Sequence, residues 1–172
     1  MSEALEFSRT LPWVAVGPEG RRQKLEANEQ ERAALARRFG IPAINAFTAE
    51  LELREEKSGG IRARGRLRAE VVQSCVVTLE PVTQKLDEPV DLRFLPPGAD
   101  LSDDPDGPDE IETEERGVMQ LGEALAEQLS LALDPYPRAP GAELAAVLPE
   151  AEAEPEQAAP QRPNPFAVLK RR

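Results

Sequence analysis

The sequence predicts an α+β fold: an antiparallel, partly closed β-sheet with two helices, an acidic loop and a linker to a short C-terminal helix. Three observations carry this. Residues 47–71 alternate apolar and polar on both sides of "KSGG", residues 28–39 form a helix with start and stop signals, and leucine recurs every four residues from Leu121 to Leu133. Period-two alternation about a glycine-rich turn marks a hairpin with one buried face, whereas a four-residue leucine repeat marks an amphipathic helix. The domain is expected to span residues 1–138, with sheet from about 5 to 95 and a mobile acidic loop at 97–116.

The first helix, "NEQERAALARRF", has Asn28 to cap it and Glu31 to reach back to the cap. Gly40 and Pro42 end it, and Arg37 and Arg38 suit the negative end of its dipole. In the hairpin, Phe47, Ala49, Leu51 and Leu53 share one face with Ile61, Ala63, Gly65, Leu67, Ala69 and Val71. Both sets are odd-numbered, so opposed residues have an even sum and the loop an odd length. A loop of Ser58-Gly59-Gly60 sets Leu51 opposite Leu67, Glu52 opposite Arg66, Glu50 opposite Arg68 and Arg54 opposite Arg64.

That register bears on function. Arg62, Arg64, Arg66 and Arg68 lie on the exposed face, and two readings stand: a solvated charge ladder with Glu50 and Glu52, or a phosphate contact toward the hairpin tip. The chain continues through "EVVQSCVVTLEPV", turns at Pro81, and returns with Leu86, Val90, Leu92 and Phe94 on one face before Pro96-Pro97. Cys75 shares parity with Val71 and Val77 and is expected to be a small buried hydrophobe.

Residues 100–115 hold nine carboxylates and no basic residue, with Asp103, Asp104, Asp106, Asp109 and Glu110 at the centre. Repulsion and local Pro/Gly breakers predict a mobile loop, suited to a basic partner. Pro105 and Pro108 spoil the calcium-loop pattern in "DDPDGPDE". A helix near 118–133 follows, and Ala/Pro/Glu-rich sequence fills 139–163 as a linker.

The segment "RPNPFAVLKRR" is compact, apolar and basic. Asn164 is a good cap, Pro165 suits the first helical position, Phe166 and Leu169 share a face, and Lys170, Arg171 and Arg172 complement the C-terminus. About two turns cannot stand alone in water, so residues 164–172 are expected to dock, in cis or in trans, as a helix-in-groove ligand.

Composition narrows the function classes. The net charge is −11; residues 162–172 contribute +4, leaving −15 on residues 1–161. Bulk attraction to nucleic acid is thereby disfavoured, while a basic partner or RNA met at a local patch remains open. With no histidine and one cysteine, the commonest general base and the usual zinc sites are missing. No enzyme, metal or cofactor is expected. The start "MSEALEFSRT" lacks a basic stretch before an apolar core, and no apolar run approaches eighteen residues; neither signal peptide nor membrane span is expected, and a cytoplasmic location is.

Residues 68–96, "RAEVVQSCVVTLEPVTQKLDEPVDLRFLP" with Leu67 before them, resemble the core of the YceD proteins, the large ribosomal RNA subunit accumulation family of bacteria and plastids. The acidic loop, the helix closing in "LALDPYP" and the terminal "RPNPFAVLKRR" follow in that family's order, over roughly residues 41–172. The resemblance implies a non-catalytic factor in accumulation, processing or assembly of large-subunit (23S) rRNA, bound to a ribosomal protein, an assembly intermediate or precursor rRNA. It marks Cys75, Leu79 and Pro81 as an architectural turn and Asn164, Pro165, Phe166 and Leu169 as the tail motif. Thr78 stands where many members have a second cysteine, which undercuts a metal or redox role. The alternative is a ribosome-independent adaptor recruiting a partner through the tail.

Overall fold

The computed structural model describes residues 6–57, 59–102, 104–114 and 117–142. Strands are β1 (Thr10–Pro12), β2 (Arg21–Glu26), β3 (Ala43–Glu55), β4 (Ile61–Ser74), β5 (Pro81–Leu95), β6 (Asp109–Glu112) and β7 (Val118–Gln120), with helices α1 (Glu29–Phe39) and α2 (Leu121–Ala132). One sheet runs β2-β3-β4-β5-β6, and β1 pairs with β7 in a second, two-stranded sheet. The α+β class and the antiparallel order of β2 to β5 are as expected. The larger sheet is open rather than partly closed, with β2 and β6 as its edges, and β6 runs parallel to β5.

The parallel strand follows from chain length. Pro96-Pro97 ends β5, and the thirteen residues from 96 to 108 give the chain room to cross over before pairing Leu92 with Asp109 and Leu95 with Glu112. Residues 97–116 are therefore not one mobile loop. Thr113 beyond β6 is buried and donates its hydroxyl to the Leu95 carbonyl at 2.8 Å.

Helix α1 has the expected cap. The Glu31 amide donates to Asn28 Oδ1 at 2.9 Å, and the Asn28 amide donates to Glu31 Oε2 at 2.8 Å. Gly40 closes the helix in the left-handed region at φ 66°. Arg9 also grips Glu31 with two bonds of 2.6 and 2.8 Å, fastening the N-terminal segment to the helix. At the other end, Arg38 forms a two-pronged pair with Glu123 of α2, whose carboxylate raises the arginine pKa.

The core lies between the odd-numbered face of β3 and β4 and the two helices. Phe47, Leu53, Ile61, Leu67, Phe94, Leu35, Leu125 and Leu129 are all fully enclosed, and the Phe7 and Phe47 rings meet at 5.2 Å between centroids. Helix α2 begins at Leu121, three residues later than residue 118, because Val118–Gln120 is taken up by pairing with β1. Its first turn sits on the N-terminal backbone so closely that a Cβ at Gly122 would lie 2.0 Å from the Phe7 carbonyl oxygen.

The hairpin keeps its expected faces but not its expected register. Its closing pair is Glu56 and Gly60: the Glu56 amide donates to the Gly60 carbonyl at 2.7 Å and the Gly59 amide to the Glu56 carbonyl at 3.0 Å. Gly59 takes the left-handed conformation at φ 88°. Three residues separate the closing pair, as expected, but the loop begins one residue earlier. Opposed residues then sum to 116, so Leu51 faces Gly65, Glu52 faces Arg64, Glu50 faces Arg66 and Arg54 faces Arg62. Gly60 lies just before β4, where a Cβ would press on the Phe94 carbonyl and the Leu95 side chain, both at 3.2 Å.

Candidate functional site: an arginine groove on the outer sheet face

The even-numbered side chains of β4 stand on the sheet face away from the core. Reading across the strands, Arg22 of β2 lies beside Glu52, which lies beside Arg64 and then Asp91; Lys24, Glu50 and Arg66 form the adjoining row. Charge thus alternates strand by strand. Five cations (Arg22, Lys24, Arg64, Arg66 and Arg68) and two carboxylates (Glu50 and Glu52) line one groove of ≈530 Å³.

Gly65 lies in the middle of this groove, between Arg64 and Arg66. An ideal Cβ at that position would fall 1.8 Å from the Glu50 carbonyl oxygen and 3.0 Å from the Leu51 Cα. Only glycine lets β3 and β4 approach so closely. On this face the odd-numbered positions of β4 present backbone between the arginines, and side chains two apart on β4 are about 6.7 Å from one another along the strand.

The arginines are answered from β5 rather than from β3. Arg66 donates to Asp87 at 2.7 Å, with Arg68 3.5 Å from the same carboxylate. Arg64 reaches Asp91 at 3.3 Å. Hydrogen bonds from Arg66 and Arg62 hold Asp87 and Asp91, respectively, below the usual carboxylate range. The expected ladder with Glu50 and Glu52 is thereby corrected: Glu52 pairs with Arg54 of its own strand. Arg62 separates from the other three. It forms a two-pronged bond with Asp91, comes within 3.7 Å of Glu56, and keeps a side chain only 18% exposed. Arg64, Arg66 and Arg68 remain 66%, 49% and 54% exposed. Exposed pairs of this kind are worth roughly 0–1 kcal/mol, so Arg64, Arg66 and Arg68 are only loosely held by the aspartates.

Sequence reasoning missed Arg22 and Lys24. Their strand has a single fully buried residue, Leu25, on its inner face, so the alternation that revealed β3 and β4 is nearly silent there.

The acidic segment is divided by its own hydrogen bonds. Glu110 accepts from the Ser102 amide at 2.6 Å and from Arg93 at 3.1 Å, and these donors, the amide foremost, lower its pKa. Asp109 accepts from Gln128 at 2.7 Å and Glu112 from the Gly98 amide at 2.6 Å. Asp104 accepts from the Asp106 amide at 3.1 Å. Asp100, Asp104, Asp106 and Glu114 are exposed. Asp103 lies outside the described residues, as do Asn164, Pro165, Phe166, Leu169, Lys170, Arg171 and Arg172.

Cys75 is fully buried, as expected, but its sulfur serves as a polar hub. It accepts amide hydrogens from Val77 and Thr78 at 3.4 Å each and from Ala139 at 3.3 Å. The turn from Cys75 closes through the Cys75 amide on the Glu80 carbonyl at 2.8 Å and leads to Pro81, the first residue of β5. Leu79 is held at φ 61°, a left-handed conformation uncommon for leucine. The amide of Ala139, then the other donors, bring the Cys75 pKa from 9.0 down to about 7.

The folded state thus favours the thiolate, whose stabilising contribution is complete above pH 9 and is lost as pH falls through about 7. The stability gap between the parent chain and Cys75→Ala should therefore widen from pH 6.5 to pH 9. Urea denaturation of both proteins at the two pH values measures it; a constant gap would mean the sulfur is not a preferred anion.

Among the described residues, no helix is long and apolar enough to cross a membrane, and no group of three or more potential metal-binding side chains is found. Neither curated proteins nor solved structures give a match to the chain. A family model, described as large ribosomal RNA subunit accumulation protein YceD, matches residues 63–171, more than half of the 172-residue sequence. That match takes in most of β4, all of β5, the acidic segment and α2, and the chain belongs to the YceD family.

Proposed function

We propose that the protein is a non-catalytic accessory factor in accumulation of large-subunit (23S) ribosomal RNA, and that it meets precursor rRNA through the arginine groove. The observation that carries this is five cations lining one groove in a chain of net charge −11. Long-range attraction is weak in such a molecule, so contact depends on short-range bidentate pairing of guanidinium with phosphate. The β5 aspartates hold Arg64, Arg66 and Arg68 only loosely, which leaves these arginines able to exchange onto phosphate. An accessory factor of this kind works in the cytoplasm beside its rRNA.

A second reading has a specific observation behind it. Asp100, Asp104, Asp106 and Glu114 remain exposed, which suits a basic ribosomal protein held before its incorporation. Neutralising these four should weaken retention of such a partner about tenfold at low salt, with less effect at high salt as screening shortens. Purification of the full chain at low salt tests both readings. Precursor rRNA that persists when ribosomal proteins are stripped supports the groove. Ribosomal proteins that persist after ribonuclease treatment support the acidic segment. Elution of neither leaves the adaptor reading, carried by the tail sequence alone.

A further inference from the structure

We propose that the segment 164–172 docks in cis on the end of the molecule formed by the Cys75 turn and the C-terminus of α2. Four of the six large hydrophobics most exposed among the described residues gather there: Val76 at 47%, Leu79 at 78%, Leu131 at 78% and Tyr136 at 72%. The Cys75 turn is tied to the segment that follows α2, because the Val76 amide donates to the Pro137 carbonyl at 2.9 Å and the Ala139 amide to Cys75 Sγ at 3.3 Å. A surface leucine held in a left-handed conformation costs about 1–2 kcal/mol, which points to a contact made by that side chain.

A pocket of ≈420 Å³ lies beside these residues, lined by Phe39, Ile41, Leu133 and Pro137 and by the polar Gln73, Ser74, Ser130 and Asp134. Gln73 is 7% exposed, and its Nε2 donates to the Asp134 carbonyl at 2.9 Å. Among the described residues, its Oε1 is buried without a hydrogen-bond partner. A buried acceptor left unpaired costs about 1–3 kcal/mol. The pocket therefore wants a ligand that brings both a hydrogen-bond donor and apolar side chains.

The chain's own tail meets those requirements. Asn164 offers amide hydrogens, the first turn of any helix leaves backbone donors unsatisfied, and Phe166, Val168 and Leu169 supply the apolar face. Lys170, Arg171 and Arg172 would face the Asp134 carboxylate. The described chain leaves from this same end, past Ala139 to Ala142, and residues 143–163 separate it from Asn164. A linker of about 21 residues spans about 25 Å, ample for return to the surface it left. Such proximity raises the effective concentration of a weak ligand into the millimolar range. The inference is independent of the arginine groove.

The test uses the full chain, ¹⁵N-labelled, compared with Phe166→Ala/Leu169→Ala, which leaves the body's own core intact. The expected result is a change in the amide resonances of Ile41 and Leu133 and in the Gln73 side-chain amide, equal at 50 µM and 500 µM. In a reciprocal arm, Ser130→Arg, an exposed substitution at the pocket mouth, should move the Phe166 and Leu169 amides to their positions in a free 162–172 peptide. Changes that grow with protein concentration would place the tail on a second copy and overturn docking in cis. No change at the pocket, or changes confined to Arg64–Arg68, would overturn the site itself.

Discussion

Replacing Gly65 with alanine will cost about 3 kcal/mol or more, one of the largest losses available to a single methyl group in this fold. The added carbon would sit 1.8 Å from the Glu50 carbonyl oxygen, with the Glu50 carbonyl carbon at 2.9 Å and the Leu51 Cα at 3.0 Å. All three are backbone atoms, so no side chain can turn aside. Either β3 and β4 separate across the middle of their pairing or the chain does not fold; overpacking that forces backbone shifts ordinarily costs about 1–3 kcal/mol. Urea unfolding measures the loss. A folded Gly65→Ala protein should also bind RNA less well, because separating β3 from β4 disrupts the groove that spans them. Unchanged stability would mean that the strands do not approach as described.

The second large effect is on binding. Arg64→Gln, Arg66→Gln and Arg68→Gln together should weaken binding of a precursor large-subunit rRNA fragment about 100-fold, or about 1 kcal/mol for each arginine. The slope of log affinity against log salt should become shallower by about 2, since each lost phosphate contact on a single strand accounts for about 0.7. The fold should tolerate the triple change, because Asp87 is about half exposed and returns to water while Asp91 keeps its two-pronged bond from Arg62. Arg62→Gln is the contrasting control. Its side chain is only 18% exposed and committed to Asp91 and Glu56, so it should cost stability more than affinity.

These expectations combine features legible in the sequence with others that were not. Helix α1 was legible to its ends because its signals are local: Asn28, Glu31 and Gly40 each act within one turn. The faces of the hairpin were legible because alternation survives any shift by two residues. For the same reason the register was not. Gly59 and Gly60 are both able to take the left-handed conformation of the turn, and it is Gly59 that takes it, at φ 88°. That register sets Gly65, rather than Leu67, opposite Leu51 and brings Glu52 opposite Arg64 and Glu50 opposite Arg66.

Strand β6 was hidden by its charge. A run of carboxylates reads as self-repelling until its distant partners are known, and Arg93, Gln128 and the Gly98 and Ser102 amides lie 8–19 residues away. The pairing of the β4 arginines with Asp87 and Asp91 was hidden similarly, since it depends on how β5 aligns with β4. Cys75 was legible as buried from its parity, while the three amides on its sulfur come from the turn it begins and from Ala139, far along the chain.

The central claim is that the face carrying Arg22, Lys24, Arg64, Arg66 and Arg68 meets RNA. Its most direct test is to follow the arginine Nε–H and Gly65 amide resonances of the full chain as a precursor large-subunit rRNA fragment is added at low salt. The expected result is saturable shifts at Arg64, Arg66, Arg68 and Gly65, reversed by raising the salt. Shifts confined to residues 100–114, or no shifts with RNA but clear ones with a basic ribosomal protein, would contradict it.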